Sequence, residues 1–212
     1  MEDSLINGLV VVKTFLPVQD QNDITVAIDS GCWSTELERR VQHFGYRYDY
    51  RVRRISSLIK ATPMPEWGRS LVERILAGNL VNQEFDQLIV NEYLPGQGIT
   101  PHIDCIPCFD REIVSVSLGS SCVMTFSNPK LEQKFDVLLE PGDLMLMRDQ
   151  ARYEWRHQIN PRKKDHWKGR VVERERRVSL TFRKVLQKSM QGGEVRSALV
   201  PGISLSDEIH RQ

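Results

Sequence analysis

Apolar and polar positions alternate with two different periods along this chain, and the change comes near residue 85. Before it, apolar residues recur at helical spacing: Ile24, Ala27 and Ile28 mark a short helix over 19–30 that Gly31 ends. A second helix is predicted over 65–79, with Pro65 at its start, Trp67, Leu71, Ile75 and Leu76 along one stripe, and Gly78 and Asn79 at its end. Ahead of both, the β-branched run GLVVVKTF from Gly8 to Phe15 predicts a strand closed by Pro17. After residue 85 the pattern becomes one of short strands, at 87–93, 99–104, 112–118, 122–126, 135–139, 143–147, 153–157 and 177–184. PGQG at 95–98 and EPGD at 140–143 supply tight turns. Eight strands at this spacing predict a mainly β (α+β) fold, a jelly roll with helices N-terminal to it.

Length changes this picture little: 212 residues with 40% apolar composition suit one domain with a sizeable core. The stretch from Gln187 to Gln212 has neither strong periodicity nor a motif, and is expected to be a loosely held tail. No run approaches the roughly 18 apolar residues of a membrane helix. The acidic start MEDSLING lacks the charged-then-apolar pattern of a signal peptide, so a soluble, intracellular protein is expected. With only Cys32, Cys105, Cys108 and Cys122, the chain is no disulfide scaffold, and free thiols are expected. Cys105 and Cys108 form a CxxC that could serve redox chemistry or half a zinc site, although zinc would need a further cysteine from elsewhere.

Charge adds more. The net value is only +1, but residues 39–60 carry seven Arg or Lys against Asp49 alone, and residues 161–177 carry eight against three acids. Within the first zone, HFGYRYDY puts Tyr46, Tyr48 and Tyr50 on one face of an extended segment. An aromatic face beside arginines suits base stacking, and equally suits ordinary strand packing.

Two further stretches carry the candidate chemistry. In NEYLPGQGITPHID, from Asn91 to Asp104, His102 and Asp104 are two apart, so on a strand both side chains leave the same face and can grip one ion. A third ligand from a distant strand, for which His157 is the candidate, would complete the two-histidine, one-carboxylate face of non-haem iron. In RVSLTFR, Arg177 and Arg183 share a strand face with Ser179 and Thr181 between them. Six residues span about 20 Å of strand, and side chains leaning roughly 7 Å inward bring the tips to about 6 Å apart, a fit for a five-carbon dicarboxylate. Arg176 is expected to face solvent.

Assembled in this order, NxYxxGxGIxxHxD, then His157, then RxSxTFR, the chain resembles the AlkB family of iron- and 2-oxoglutarate-dependent dioxygenases from about residue 8 to 186. The stretches EIVSVSLGS and ARYEWRH are also similar to that family. The resemblance implies a double-stranded β-helix whose His102, Asp104 and His157 bind Fe(II), with 2-oxoglutarate and O2 as cosubstrates. It further implies that Asn91, Tyr93 and Arg177 take the far carboxylate of 2-oxoglutarate, that Ser179 lines this site, and that Arg183 sits beside the end that chelates iron. The chain would be one catalytic domain over 1–186, with a nucleotide-recognition lid at about 39–60 and the jelly roll at about 85–186, followed by the tail at 187–212. Tyr46, Tyr48, Tyr50 and Arg152 would then be candidates for substrate contact, and 161–174 a basic loop or solvated hairpin. The implied activity is oxidative demethylation of N-alkylated bases in DNA or RNA by a monomeric, cytoplasmic or nuclear enzyme. Ser179 stands where many repair members have Asn, and Cys105, Ile106 and Pro107 stand where they carry acidic base contacts. HFGYRYDY and RxSxTFR are closer to the subgroup whose animal member hydroxylates a modified wobble uridine in tRNA. A protein or small-molecule hydroxylase on the same core is the alternative.

Overall fold

The computed structural model describes residues 6–186, with the backbone alone over 56–60; the stretch assigned to the tail lies outside the described residues. In chain order the elements begin with β1 (Leu9–Val12), α1 (Val18–Asp29), β2 (Val41–Phe44), β3 (Tyr46–Asp49), β4 (Arg54–Lys60) and α2 (Glu66–Ala77). There follow β5 (Gln87–Tyr93), β6 (Ile99–His102), β7 (Phe109–Gly119), β8 (Cys122–Asn128), β9 (Gln133–Leu139) and β10 (Leu144–Met147). The last are α3 (Asp149–Tyr153), β11 (Arg156–Ile159), β12 (Lys164–Trp167), β13 (Arg170–Glu173) and β14 (Arg177–Val185).

A six-stranded sheet in the order β1-β10-β7-β14-β5-β2 faces a four-stranded sheet in the order β6-β11-β8-β9. Two hairpins, β3-β4 and β12-β13, stand apart from both. This is the antiparallel jelly-roll architecture expected from the strand pattern, and β1 and β2 extend its larger sheet at both edges.

Period-two alternation divides the larger sheet into two faces. On β14, Val178, Leu180 and Phe182 join Ile24 and Ile28 of α1 and Leu71 and Ile75 of α2 in one core, with Leu88 and Val90 of β5. The intervening Arg177, Ser179, Thr181 and Arg183 turn the other way, into the space between the sheets. Met145 and Met147 of β10 face that same space, with Met124 of β8. Because helices cover one face and the second sheet the other, β5 is buried at every position, polar residues included.

Three expectations need correction. Residues 153–157 are not one strand: Asp149–Tyr153 forms the short helix α3, and pairing resumes only at Arg156. HFGYRYDY is interrupted at Gly45, whose φ of +77° and whose Cα lying against the Asp86 carbonyl leave no room for a side chain. Arg176 does not point freely into solvent: it pairs with Asp29 at the end of α1 and, at 2.6 Å, with the buried Glu92, which Arg40 also grips at 2.6 Å. These hydrogen-bonded guanidiniums, Arg40 first, hold the Glu92 carboxyl below the usual range, against its partial burial. No helix among the described residues is long and apolar enough to cross a membrane.

Candidate metal and cosubstrate site

Strand register brings the distant motifs together. His102 on β6 is the cross-strand partner of His157 on β11, and their rings lie 4.3 Å apart between centroids. The turn before β6 reaches this position because Gly98 packs against the Ile159 carbonyl, where any Cβ would clash at 2.2 Å. Asp104 follows just beyond β6, and one ligand atom from each of His102, Asp104 and His157 lies within 4.8 Å of the others.

The donor chemistry of these three fits a divalent metal. His102 Nδ1 lies 2.8 Å from the Thr100 carbonyl, so that nitrogen carries the proton and Nε2 presents its lone pair, 3.6 Å from Asp104 Oδ1. The other Asp104 oxygen accepts a hydrogen bond from Arg183 Nε at 3.1 Å. Burial alone would raise the Asp104 carboxyl, but the Arg183 charge above all outweighs it and holds the group well below the usual range. His157 is pushed down to about 3, chiefly by burial and then by His102. At neutral pH the site thus offers an ionised carboxylate and a neutral imidazole, as metal binding requires.

A cavity of about 830 Å³ opens beside these ligands. On its floor, β14 pairs with β5 so that Arg177 faces Tyr93 and Ser179 faces Asn91. Arg177 Nη2 donates to Ser117 Oγ at 2.9 Å, while Arg177 Nε and Nη1 and Arg183 Nη1 are buried N–H donors with no partner. Unpartnered guanidinium donors in a buried pocket are costly, and a dicarboxylate supplies the acceptors they lack. Ser179 bonds Ser115 at 2.9 Å and completes this floor.

The structure separates the substrate candidates into two groups. Tyr48 and Tyr50 line the cavity, 5.3 Å apart between ring centroids, and Tyr48 lies 5.8 Å from Phe109. Burial pushes the Tyr50 hydroxyl up to about 12. Tyr46 instead packs against the small core of Ile55, Cys108, Phe109 and Val185, outside the cavity wall. Arg152 is only 2% exposed and does not reach the cavity. It donates to the carbonyls of Asp104 at 2.8 Å, Cys105 at 3.2 Å and Phe109 at 3.3 Å, so it braces the loop that carries Asp104. In the same loop Cys105 and Cys108 are joined as a disulfide, a correction to the free thiols expected there, because the turn between them brings their Cα atoms to 5.2 Å. Cys32 and Cys122 are free.

Three cavity arginines escaped the motif reading: Arg39, Arg53 and Arg156. Arg39 and Arg53 sat inside a charge run, and Arg156 beside a candidate ligand; only the alternation of inward positions could have separated them from solvent-facing neighbours.

Comparison with known proteins agrees with this geometry. Residues 21–183 match the family described as the 2OG-Fe(II) oxygenase superfamily. The chain is 35% identical over 208 residues to the Arabidopsis thaliana "Alkylated DNA repair protein ALKBH8 homolog", covering 86% of this chain and 60% of the relative. It is 33% identical to the Mus musculus "tRNA (carboxymethyluridine(34)-5-O)-methyltransferase ALKBH8", covering 86% of this chain but 31% of that protein. Among solved structures, OsALKBH1 shares the fold with a TM-score of 0.68 at 21% identity, covering 84% of this chain and 96% of that one. The site, the fold and these likenesses converge: the chain belongs to the 2OG-Fe(II) oxygenase superfamily, as an AlkB-like dioxygenase using Fe(II), 2-oxoglutarate and O2.

Proposed function

We propose that this dioxygenase oxidatively demethylates N-alkylated bases of DNA or RNA. The observation that carries the reading is the aromatic pair Tyr48 and Tyr50, set in the wall of the cavity that contains the His102, Asp104 and His157 cluster. A base stacks on aromatic rings whatever its sequence, at a gain of roughly 1–3 kcal/mol each. The exposed Arg53 and Arg156 at the same cavity suit the flanking phosphates, and the β12-β13 hairpin adds the exposed Lys163, Lys164, Lys168 and Arg170.

In this reading His102 Nε2, the Asp104 carboxylate and His157 hold Fe(II). Arg177, with Asn91, Tyr93 and Ser179, receives the far carboxylate of 2-oxoglutarate, and Arg183 orients Asp104 while facing the near end. Iron, 2-oxoglutarate and O2 together supply the oxidative decarboxylation that hydroxylates a C–H bond of the substrate, and an N-hydroxymethyl base so formed releases formaldehyde. The chain's part is geometric: Arg152 fixes the Asp104 loop, the β5-β14 register sets the cosubstrate, and Met124, Met145 and Met147 keep one wall apolar. We further read residues 1–186 as one catalytic domain, with 39–60 as lid and 85–186 as jelly roll, in a monomer of the cytoplasm or nucleus.

The test is a panel of methylated single-stranded DNA and RNA oligonucleotides assayed for formaldehyde. Release that depends on 2-oxoglutarate and falls steeply with salt is expected. Succinate formation with no turnover on any of them would move the assignment to a protein or small-molecule hydroxylase. A second reading, hydroxylation of a modified tRNA base, is favoured by the likeness to the mouse protein, whose name specifies carboxymethyluridine in tRNA. It predicts a product one oxygen heavier, with no formaldehyde.

A further inference from the structure

The cavity contains a buried cation that neither the motifs nor the proposed roles account for. Arg39 is only 5% exposed and makes no ion pair with a carboxylate among the described residues. It lies two residues before Val41, whose register partner on β5 is Asn91, while the Arg40 carbonyl accepts from Glu92 N at 3.0 Å. Alternation along this edge therefore turns Arg39 to the same face as Asn91.

There its Nε donates to Asn91 Oδ1 at 3.1 Å. A side-chain amide presents either an acceptor or two donors to a given direction, and the partner it meets decides which. By occupying the oxygen, Arg39 leaves the Asn91 Nδ2 hydrogens as the groups available to an anion. The Arg39 guanidinium also lies 6.0 Å from the Tyr50 ring and 5.8 Å from the Tyr93 ring, and Arg177 lies 5.7 Å from that same Tyr93 ring. Two guanidiniums thus flank one residue of the cosubstrate floor. A buried guanidinium without a counter-ion is unfavourable, and an incoming carboxylate relieves it.

We propose that Arg39 is a positioning residue of the cosubstrate site, orienting the Asn91 amide toward the far carboxylate of 2-oxoglutarate and adding a second positive charge to the one Arg177 supplies there. The proposal rests on the assignment of Asn91, Tyr93 and Arg177 to that carboxylate. A residue that merely clipped β2 to β5 would be indifferent to which acid is bound.

That difference is measurable by anaerobic calorimetric titration of the Fe(II)-loaded full chain with two acids, 2-oxoglutarate and 2-oxopentanoate, the second lacking the far carboxylate. Loss of a charge-assisted interaction predicts that Arg39→Gln weakens 2-oxoglutarate binding about tenfold and leaves 2-oxopentanoate binding unchanged. Arg39→Lys, which keeps the charge but not the fork, is expected to fall between wild type and Arg39→Gln, and it carries the same comparison if the glutamine variant does not fold. In an Asn91→Ala background the Arg39→Gln penalty should shrink, since the amide it orients is gone. Equal weakening of both acids, or of neither, would overturn the proposal. Arg177→Ala with undiminished 2-oxoglutarate affinity would instead overturn the underlying assignment, whatever Arg39→Gln does.

Discussion

The cavity is built from two regions of unlike construction. Its floor, β5 and β14, is paired on both sides and buried through nearly every residue, with Leu88, Val90, Leu180 and Phe182 packed beneath the polar face. Its outer wall is the two-stranded β3-β4 hairpin, where no residue of β3 is fully buried and residues 51–54 at the turn are all exposed. A two-stranded ribbon has little of its own to hold it. The difference matches the demands of the chemistry. The cosubstrate is the same in every turnover and suits a rigid mount such as β5 and β14, whereas under the proposed function a nucleic acid enters past the more exposed β3-β4 hairpin.

Substitutions in each region, read for both stability and binding, should separate the two. Phe182, fully buried beneath the floor, should cost about 3–5 kcal/mol of unfolding free energy when changed to Ala, read by urea denaturation. Tyr48→Ala in the β3-β4 hairpin should cost substantially less stability while, under the proposed function, weakening single-stranded oligonucleotide binding about tenfold. Equal destabilisation by the two would mean that the hairpin is as integral to the fold as the floor. Next in size, Arg177→Ala should raise the dissociation constant for 2-oxoglutarate by roughly 30- to 100-fold, since it removes the charged partner of a carboxylate. Oligonucleotide affinity should change little, because that surface lies on the other wall.

A pH-dependent effect concerns His43, which lies 5.7 Å from the Tyr50 ring with both ring nitrogens buried and unpartnered. Burial, aided by the Arg183 and Arg39 charges, pushes it down to about 4 from an ordinary 6.5. Between those values the unfolded chain binds more protons than the folded one, so stability is full above about pH 6.5 and falls as the pH drops toward 4. His43→Phe should flatten that part of the stability curve by up to one proton's worth of slope. An unchanged slope would show that the imidazole is not desolvated on β2 beside the floor.

The floor was the more legible region in the sequence, for a physical reason. Asn91, Tyr93, Arg177, Ser179 and Arg183 lie on strands whose period of two can be read directly, and the glycines of PGQG announce the turn that returns the chain to His102. Pairing was not legible. Nothing within a strand says that His102 will lie opposite His157, or Ser179 opposite Asn91; those registers depend on which strands become neighbours. The β3-β4 hairpin read less well because its register shifts between Tyr46 and Tyr48, so that Tyr48 and Tyr50 line the cavity and Tyr46 does not. Arg39 was hidden in a charge run that composition assigns to solvent, and Arg152 read as a substrate contact; only tertiary contacts reveal guanidiniums bonded to Asn91 and to the carbonyls of the Asp104 loop.

The proposed site has His102, Asp104 and His157 holding iron while Arg177 and Arg183 hold 2-oxoglutarate beside it. Anaerobic titration of the protein with Fe(II) and 2-oxoglutarate tests this directly, by the weak visible charge-transfer absorption of a 2-oxo acid chelated to ferrous iron. The wild-type protein is expected to develop this band at one equivalent of each, and His102→Ala or Asp104→Ala to abolish it; a band that survives in both variants would contradict the assignment.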